Sequence, residues 1–99
     1  MITAELSIIP IGTGDTSLSD YIAAAIKAID KKNIKYEISG MGTQIEAENL
    51  EDILDAIKAA HEAVFRLDCD RVYTTVKIDD RRDVEKTLKD KIASVKSKL

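Results

Sequence analysis

Tryptophan is absent from this 99-residue chain, and cysteine and proline occur once each. A lone Cys69 closes no internal disulfide, which excludes a disulfide-stapled scaffold and fits a reducing compartment. No apolar run approaches the ~18 residues of a membrane span. The first residues do not read as a basic segment followed by an apolar one. A cytoplasmic protein with no membrane partner is expected. A basic surplus is missing too. Fifteen Lys and Arg against eighteen Asp and Glu give a formal charge of -3, which argues against a general nucleic-acid binder. What is present suits folding: 44% hydrophobic and 33% charged residues, read as a single domain over residues 1–99.

The apolar residues are spaced informatively. Ile2, Ala4, Leu6 and Ile8 alternate with Thr3, Glu5 and Ser7, the period of a half-buried strand. Pro10 is expected to end it, because proline donates nothing to a ladder. Ser17 is placed to cap a helix, with Asp20 in the capping-box position, and Leu18, Ile22, Ala25, Ile26 and Ile29 follow at helical spacing. Asn33 closes that helix. A hairpin is expected next, with Ile34, Tyr36 and Ile38 in one arm, a Gly40-Met41-Gly42-Thr43 turn, and Ile45 and Ala47 in the other. Asn49 opens a second helix carrying Leu50, Ile53, Leu54, Ile57, Ala60, Val64 and Leu67. Val72, Thr74, Val76 and Ile78 form a fourth strand, and a last helix is expected from about Asp83, carrying Val84, Leu88, Ile92, Val95 and Leu99. The fold class is therefore α+β. The pattern βαββαβ plus a C-terminal helix predicts a ferredoxin-like sandwich whose four antiparallel strands run in the order 4-1-3-2.

Two helices cover one face of such a sheet. The other face would display Glu5, Ser7, Glu37, Ser39, Gln44, Glu46, Glu48, Tyr73, Thr75 and Lys77. A hairpin register that sets Gly40 opposite Thr43 aligns Ile38 with Ile45 and Tyr36 with Ala47, and places Glu37 opposite Glu46. Facing like charges cost roughly a few tenths to one kcal/mol. They are either two solvated glutamates relieved by a lysine such as Lys77, or a carboxylate pair waiting for a cationic ligand. On the second reading Glu46→Gln weakens ligand binding without harming the fold. The stripe on the last helix has no obvious place in a core already holding two helices, so burial between subunits is expected.

Catalytic signatures are incomplete. Gly12-Thr13-Gly14 follows a strand, but Ser17 stands where the dinucleotide fingerprint needs glycine, and no Gly-Lys-Ser/Thr follows. A structural turn, with Gly12 or Gly14 at positive φ, is the simpler reading. A small phosphate-ligand enzyme built on the Gly12–Ser17 loop is the other. His61-Glu62 lacks the second histidine of a zinc-protease helix, since Phe65 occupies that position, and His61 falls beside the apolar stripe as a packed histidine. Cys69 has no histidine near it in sequence. Arg81, Arg82, Lys86 and the lysines that follow are interleaved with acids, as on a solvated face. No catalytic group and no metal site is assigned.

The ordered set Ile9-Pro10-Ile11-Gly12-Thr13-Gly14, then Thr16-Ser17, Ser19-Asp20-Tyr21 and Met41-Gly42-Thr43-x-Ile45-Glu46-x-Glu48, resembles the small thiamine-binding-protein family. His61-Glu62, Arg71-Val72 and Ile78-Asp79-Asp80-Arg81 extend the resemblance along nearly the whole chain. It implies a ferredoxin-like fold, assembly into homodimers and then homotetramers, and non-catalytic binding of thiamine or its hydroxymethylpyrimidine portion, with no other cofactor. The candidate ligand-binding residues are Ser7, Thr13, Ser17, Glu37, Ser39, Thr43, Gln44, Glu46 and Tyr73. An interaction or regulatory module whose open sheet face serves assembly alone is the competing reading. Two positions depart from the family's pattern: Asp68-Cys69-Asp70, where a glycine turn is expected, and Ala47, where glycine is common and a methyl group would narrow a pocket.

Overall fold

The structure, a computed structural model, describes residues 1–99. Its elements are β1 (Ile2–Ile11), α1 (Ser19–Asp30), β2 (Lys35–Ile38), β3 (Thr43–Ala47), α2 (Leu50–Phe65), β4 (Arg71–Asp80) and α3 (Leu88–Lys96). The strands form one antiparallel sheet in the order β2-β3-β1-β4, the expected 4-1-3-2 read from the other edge. α1 and α2 pack on the face that carries Ile2, Ala4, Leu6 and Ile8, and Ile29, Ile45, Ile53 and Val64 are fully buried between the layers. This is the ferredoxin-like arrangement that the order of periodicities implies.

Four local expectations are corrected. Pro10 does not end β1, which runs on to Ile11 with Pro10 buried opposite Val72. It is tolerated because β3 pairs with β1 only through Leu6, so beyond that point one side of β1 has no ladder to interrupt. Ser17 is not the cap of α1. The helix begins at Ser19 after Leu18 with no side-chain cap, while the Ser17 N–H donates to Asp15 Oδ1 at 2.9 Å in a local turn. α3 starts at Leu88, five residues after Asp83, where Thr87 and Asp90 form a reciprocal capping box.

The fourth correction is the hairpin register. Ile38 faces Thr43, Glu37 faces Gln44, Tyr36 faces Ile45 and Lys35 faces Glu46. The Ser39 N–H donates to the Gly42 carbonyl at 3.0 Å, so the two-residue turn is Gly40-Met41, one residue earlier than expected, and the partner of each β3 residue shifts by two. Glu37 and Glu46 therefore do not oppose each other, and opposite charges meet where like charges were anticipated.

Backbone conformation explains two sequence features. Asp68 adopts φ 63, so an aspartate fills the left-handed position expected of a glycine before β4. Gly12 and Gly14 adopt φ 81 and 77, with open space where a Cβ would stand. Gly12→Ala or Gly14→Ala is thus a pure backbone penalty of about 1 kcal/mol. A thermal melt should show each variant about 4–8 °C below the parent at this chain length. If both melt with the parent, these turns are not conformationally constrained.

Candidate functional site

β1 is twice as long as β3, and this mismatch creates a cavity. From Ser7 onward β1 has a neighbour only on its β4 side. The space that a longer β3 would fill is roofed by α1 through Ile22, Ala25 and Ile29, with Leu18 just ahead of it, and closed by the turn from Ser39 to Thr43. The cavity holds about 230 Å³, with Ile8 and Ile9 in its strand wall. Of the two glycine-bearing segments, the hairpin turn lines the cavity, whereas the Gly12–Ser17 loop does not. Leu18 follows that loop into the wall, and the hairpin turn delivers Met41, which is 90% exposed at the mouth.

Gly42 sets the turn's position. A Cβ there would meet the Glu5 side chain at 3.1 Å and the Leu6 carbonyl oxygen at 3.2 Å, so the absence of a side chain lets the turn lie flat on β1. The Ser39 hydroxyl donates to the Gly42 carbonyl at 2.7 Å and fixes the turn internally. No lining side chain is acidic or basic. Polar contacts in the cavity come from Ser7, Ser39, Thr43 and the unpaired edge of β1.

The sequence-derived candidates divide. Ser7, Ser39 and Thr43 line the cavity. Gln44 lies on the opposite sheet face, where its amide donates to Glu5 at 3.2 Å and lines a shallower groove of about 400 Å³ beside α3. Glu5 also pairs with Lys77 at 3.2 Å. The Gln44 amide first, and the Lys77 ammonium second, hold its carboxyl below the ordinary carboxylate range. Thr13 and Ser17 stabilise the β1–α1 loop instead, with the Thr13 hydroxyl donating to the Asp15 carbonyl at 3.1 Å. Glu37 and Tyr73 line neither space; Tyr73 stands exposed opposite Ile9.

Glu46 is the main correction. Expected as an exposed acceptor, it is only 5% exposed, because α3 lies across that end of the sheet. One carboxylate oxygen accepts the Leu88 N–H at 3.1 Å, and the other pairs with Lys35 at 3.1 Å. Glu46 therefore anchors the first turn of α3, where a negative charge is favoured. α3 is further held by Lys91 paired to Asp79. The expected subunit-facing stripe is split accordingly: Leu88 is buried within the chain, while Ile92, Val95 and Leu99 stay exposed.

His61 is the packed histidine its position suggests, with Nδ1 2.7 Å from the Thr74 hydroxyl and its ring edge-on to Phe65 at 5.4 Å. Cys69 is half-buried, and its thiol donates to the Val64 carbonyl. Ala47 is half-buried at the end of β3, paired with Ile2 and away from the cavity lining. Sequence reasoning missed Leu18, Ile22 and Ala25, since a residue facing a void has the same helical spacing as one facing a packed core. No helix is long and apolar enough to cross a membrane.

Relatives share this frame. A protein of Methanothermobacter thermautotrophicus, named only UPF0045 protein, is 62% identical over 99 residues and is covered end to end, as is this chain. The UPF0045 protein YqgV of Bacillus subtilis is 44% identical over 103 residues, covering all of this chain and 98% of its own. The crystal structure of hypothetical protein MJ1052 from Methanocaldococcus jannaschii superposes with a TM-score of 0.87 at 42% identity, over 96% of this chain and 95% of that one. The family model described as thiamine-binding protein matches residues 4–96, which takes in every wall of the cavity and the helix that Glu46 anchors. By both sequence and fold, the chain belongs to the thiamine-binding protein family.

Proposed function

We propose that this protein binds thiamine, or the hydroxymethylpyrimidine portion of it, without transforming it, and that the pyrimidine enters the cavity between α1, β1 and the hairpin turn. The observation that carries this reading is the lining. Aliphatic side chains supply two walls for a flat ring, and a strand edge with free backbone groups offers donors and acceptors in a line, as an aminopyrimidine requires. The absence of titratable side chains there favours binding over acid–base chemistry. At about 230 Å³ the cavity lies below the ~300–1,000 Å³ of drug-sized sites, so it suits one ring. The thiazolium of thiamine would then sit at the mouth, beside the exposed Met41.

Calorimetric titration with hydroxymethylpyrimidine, thiamine and the thiamine phosphates tests the reading. Saturable binding of the first two, one per protomer, is expected. If only phosphate esters bind, or if none of the compounds binds, the pyrimidine does not occupy this cavity and the reading fails.

Assembly is the second part of the proposal. Ile9, Ile11 and Tyr73 are exposed on the open sheet face, as are Ile92 and Val95 on α3 and Leu99 just beyond it. A homodimer or homotetramer would cover this surface, and the competing reading of an assembly-only module rests on the same residues. Light scattering at micromolar concentration should give at least twice the protomer mass. A monodisperse monomer would remove this part of the proposal and leave the cavity unaffected.

A further inference from the structure

The outer surface of the helical layer, remote from the cavity, gathers positive charge on an acidic protein. α1 and α2 run side by side there, with Ala24, Ala28, Ala59 and Ala63 between them. Because these side chains stop at Cβ, the space above them is a groove of about 710 Å³. Its rim carries Lys27, Lys31, Lys32, Lys58 and Arg66, all exposed. The groove holds two carboxylates, Asp55 and Glu62, a local surplus of three positive charges on a chain whose formal charge is -3.

Helical spacing alone would pair these groups. Glu62 stands four residues after Lys58 and four before Arg66, a spacing that supports ion pairs along a helix. None of the five cations is paired, however. The acidic partners in the ion pairs of the molecule are Glu5, Glu46, Asp79, Asp80, Asp83 and Glu85, all outside the groove. Lysines near the C-terminus of α1 complement the helix dipole, which accounts for one or two of them. It does not account for Lys58 and Arg66 on the neighbouring helix converging on the same groove.

We propose that this groove is a second binding site, for a compact polyanion bearing a di- or triphosphate. Several cations on flexible stems around a concave floor suit an anion that concentrates its charge, and Arg66 can add bidentate contact to one phosphate. Compactness follows from the remainder of the molecule. Outside the groove the chain carries a net negative charge, so a long nucleic acid leaving the groove would be repelled, whereas a small polyanion is drawn in and held. The site is independent of the pyrimidine cavity and of its assignment.

Inorganic tripolyphosphate is the probe. Titration of the full chain, followed by amide NMR shifts and by calorimetry at low salt, should show saturable binding with the shifts concentrated in residues 24–32 and 55–66. The Lys31→Gln/Arg66→Gln double variant should bind tripolyphosphate about tenfold more weakly, as expected when two charged contacts are lost. Its melting temperature and its affinity for hydroxymethylpyrimidine should match the parent, since neither residue lines the cavity. Equal binding by parent and variant, or shifts that cluster elsewhere, would overturn the site. Tighter binding of a single-stranded RNA oligomer than of tripolyphosphate, sensitive to the same double variant, would overturn its assignment to a compact anion.

Discussion

Glu46→Ala is expected to lower the melting temperature by on the order of 5–20 °C. The carboxylate is buried beneath α3 and serves two partners, the Leu88 N–H and the Lys35 ammonium. Alanine leaves the Leu88 N–H without its acceptor in a buried site, which costs about 1–3 kcal/mol. At this size each kcal/mol is worth roughly 4–8 °C. Lys35 adds little to the loss, because its own side chain is half exposed and water can replace its partner. Glu46→Gln separates the two contributions. Its amide oxygen can still accept from Leu88, so it should cost less than ~1 kcal/mol. Ligand binding should be the same in both variants where they are folded, since Glu46 does not line the cavity. An alanine variant that melts within ~2 °C of the parent would show that α3 is not held by this residue.

That expectation reverses the one drawn from the sequence, and the reason is specific. Alternation correctly places Glu46 on the face opposite the core, and nothing in a period of two tells whether that face is covered. What covers it is a helix 42 residues later in the chain, docked through Leu88. The hairpin register is illegible for a related reason. Pairing Ile45 with Ile38 or with Tyr36 keeps apolar against apolar, because a shift of two residues preserves the alternation. The choice is made by the close approach at Gly42 and the bond from Ser39 to its carbonyl, neither of which leaves a periodic trace.

The elements themselves are legible because their signals are local and redundant. Asn49 caps α2, accepting from Asp52 at 3.0 Å, as its place before the apolar stripe suggests. Val84 lies four residues before Leu88 and so extends the stripe of α3 backward, yet Thr87 and Asp90 form the capping box that starts the helix. Three of the candidate ligand residues, Ser7, Ser39 and Thr43, reach the cavity, because the free edge of β1 and the hairpin turn that carry them lie side by side. The apolar half of the site stayed hidden. A cavity is a missing length of strand, and its walls belong to elements that read individually as core.

The cavity also allows binding and stability to be driven in opposite directions. Ala25 is buried in α1 and faces the void, so Ala25→Leu would place three further carbons in it. In a close-packed core such an insertion costs about 1–3 kcal/mol. Here there are about 230 Å³ to receive it, and filling a void typically gains on the order of 0.5–2 kcal/mol. The variant should therefore melt at or above the temperature of the parent. The same leucine occupies the volume proposed for the pyrimidine, and affinity for hydroxymethylpyrimidine and thiamine should fall by about 100-fold or more, the loss of about 3 kcal/mol that follows when a ring is expelled from a pocket of its own size. Thermal melts and calorimetry on one preparation measure both effects. A destabilised Ala25→Leu would mean that the void is too rigid or too narrow to accept the side chain. A stable variant that still binds the pyrimidine with the affinity of the parent would move the ligand out of this cavity, leaving the groove beside Glu5 and Gln44, on the opposite face of the sheet, as the place to search next.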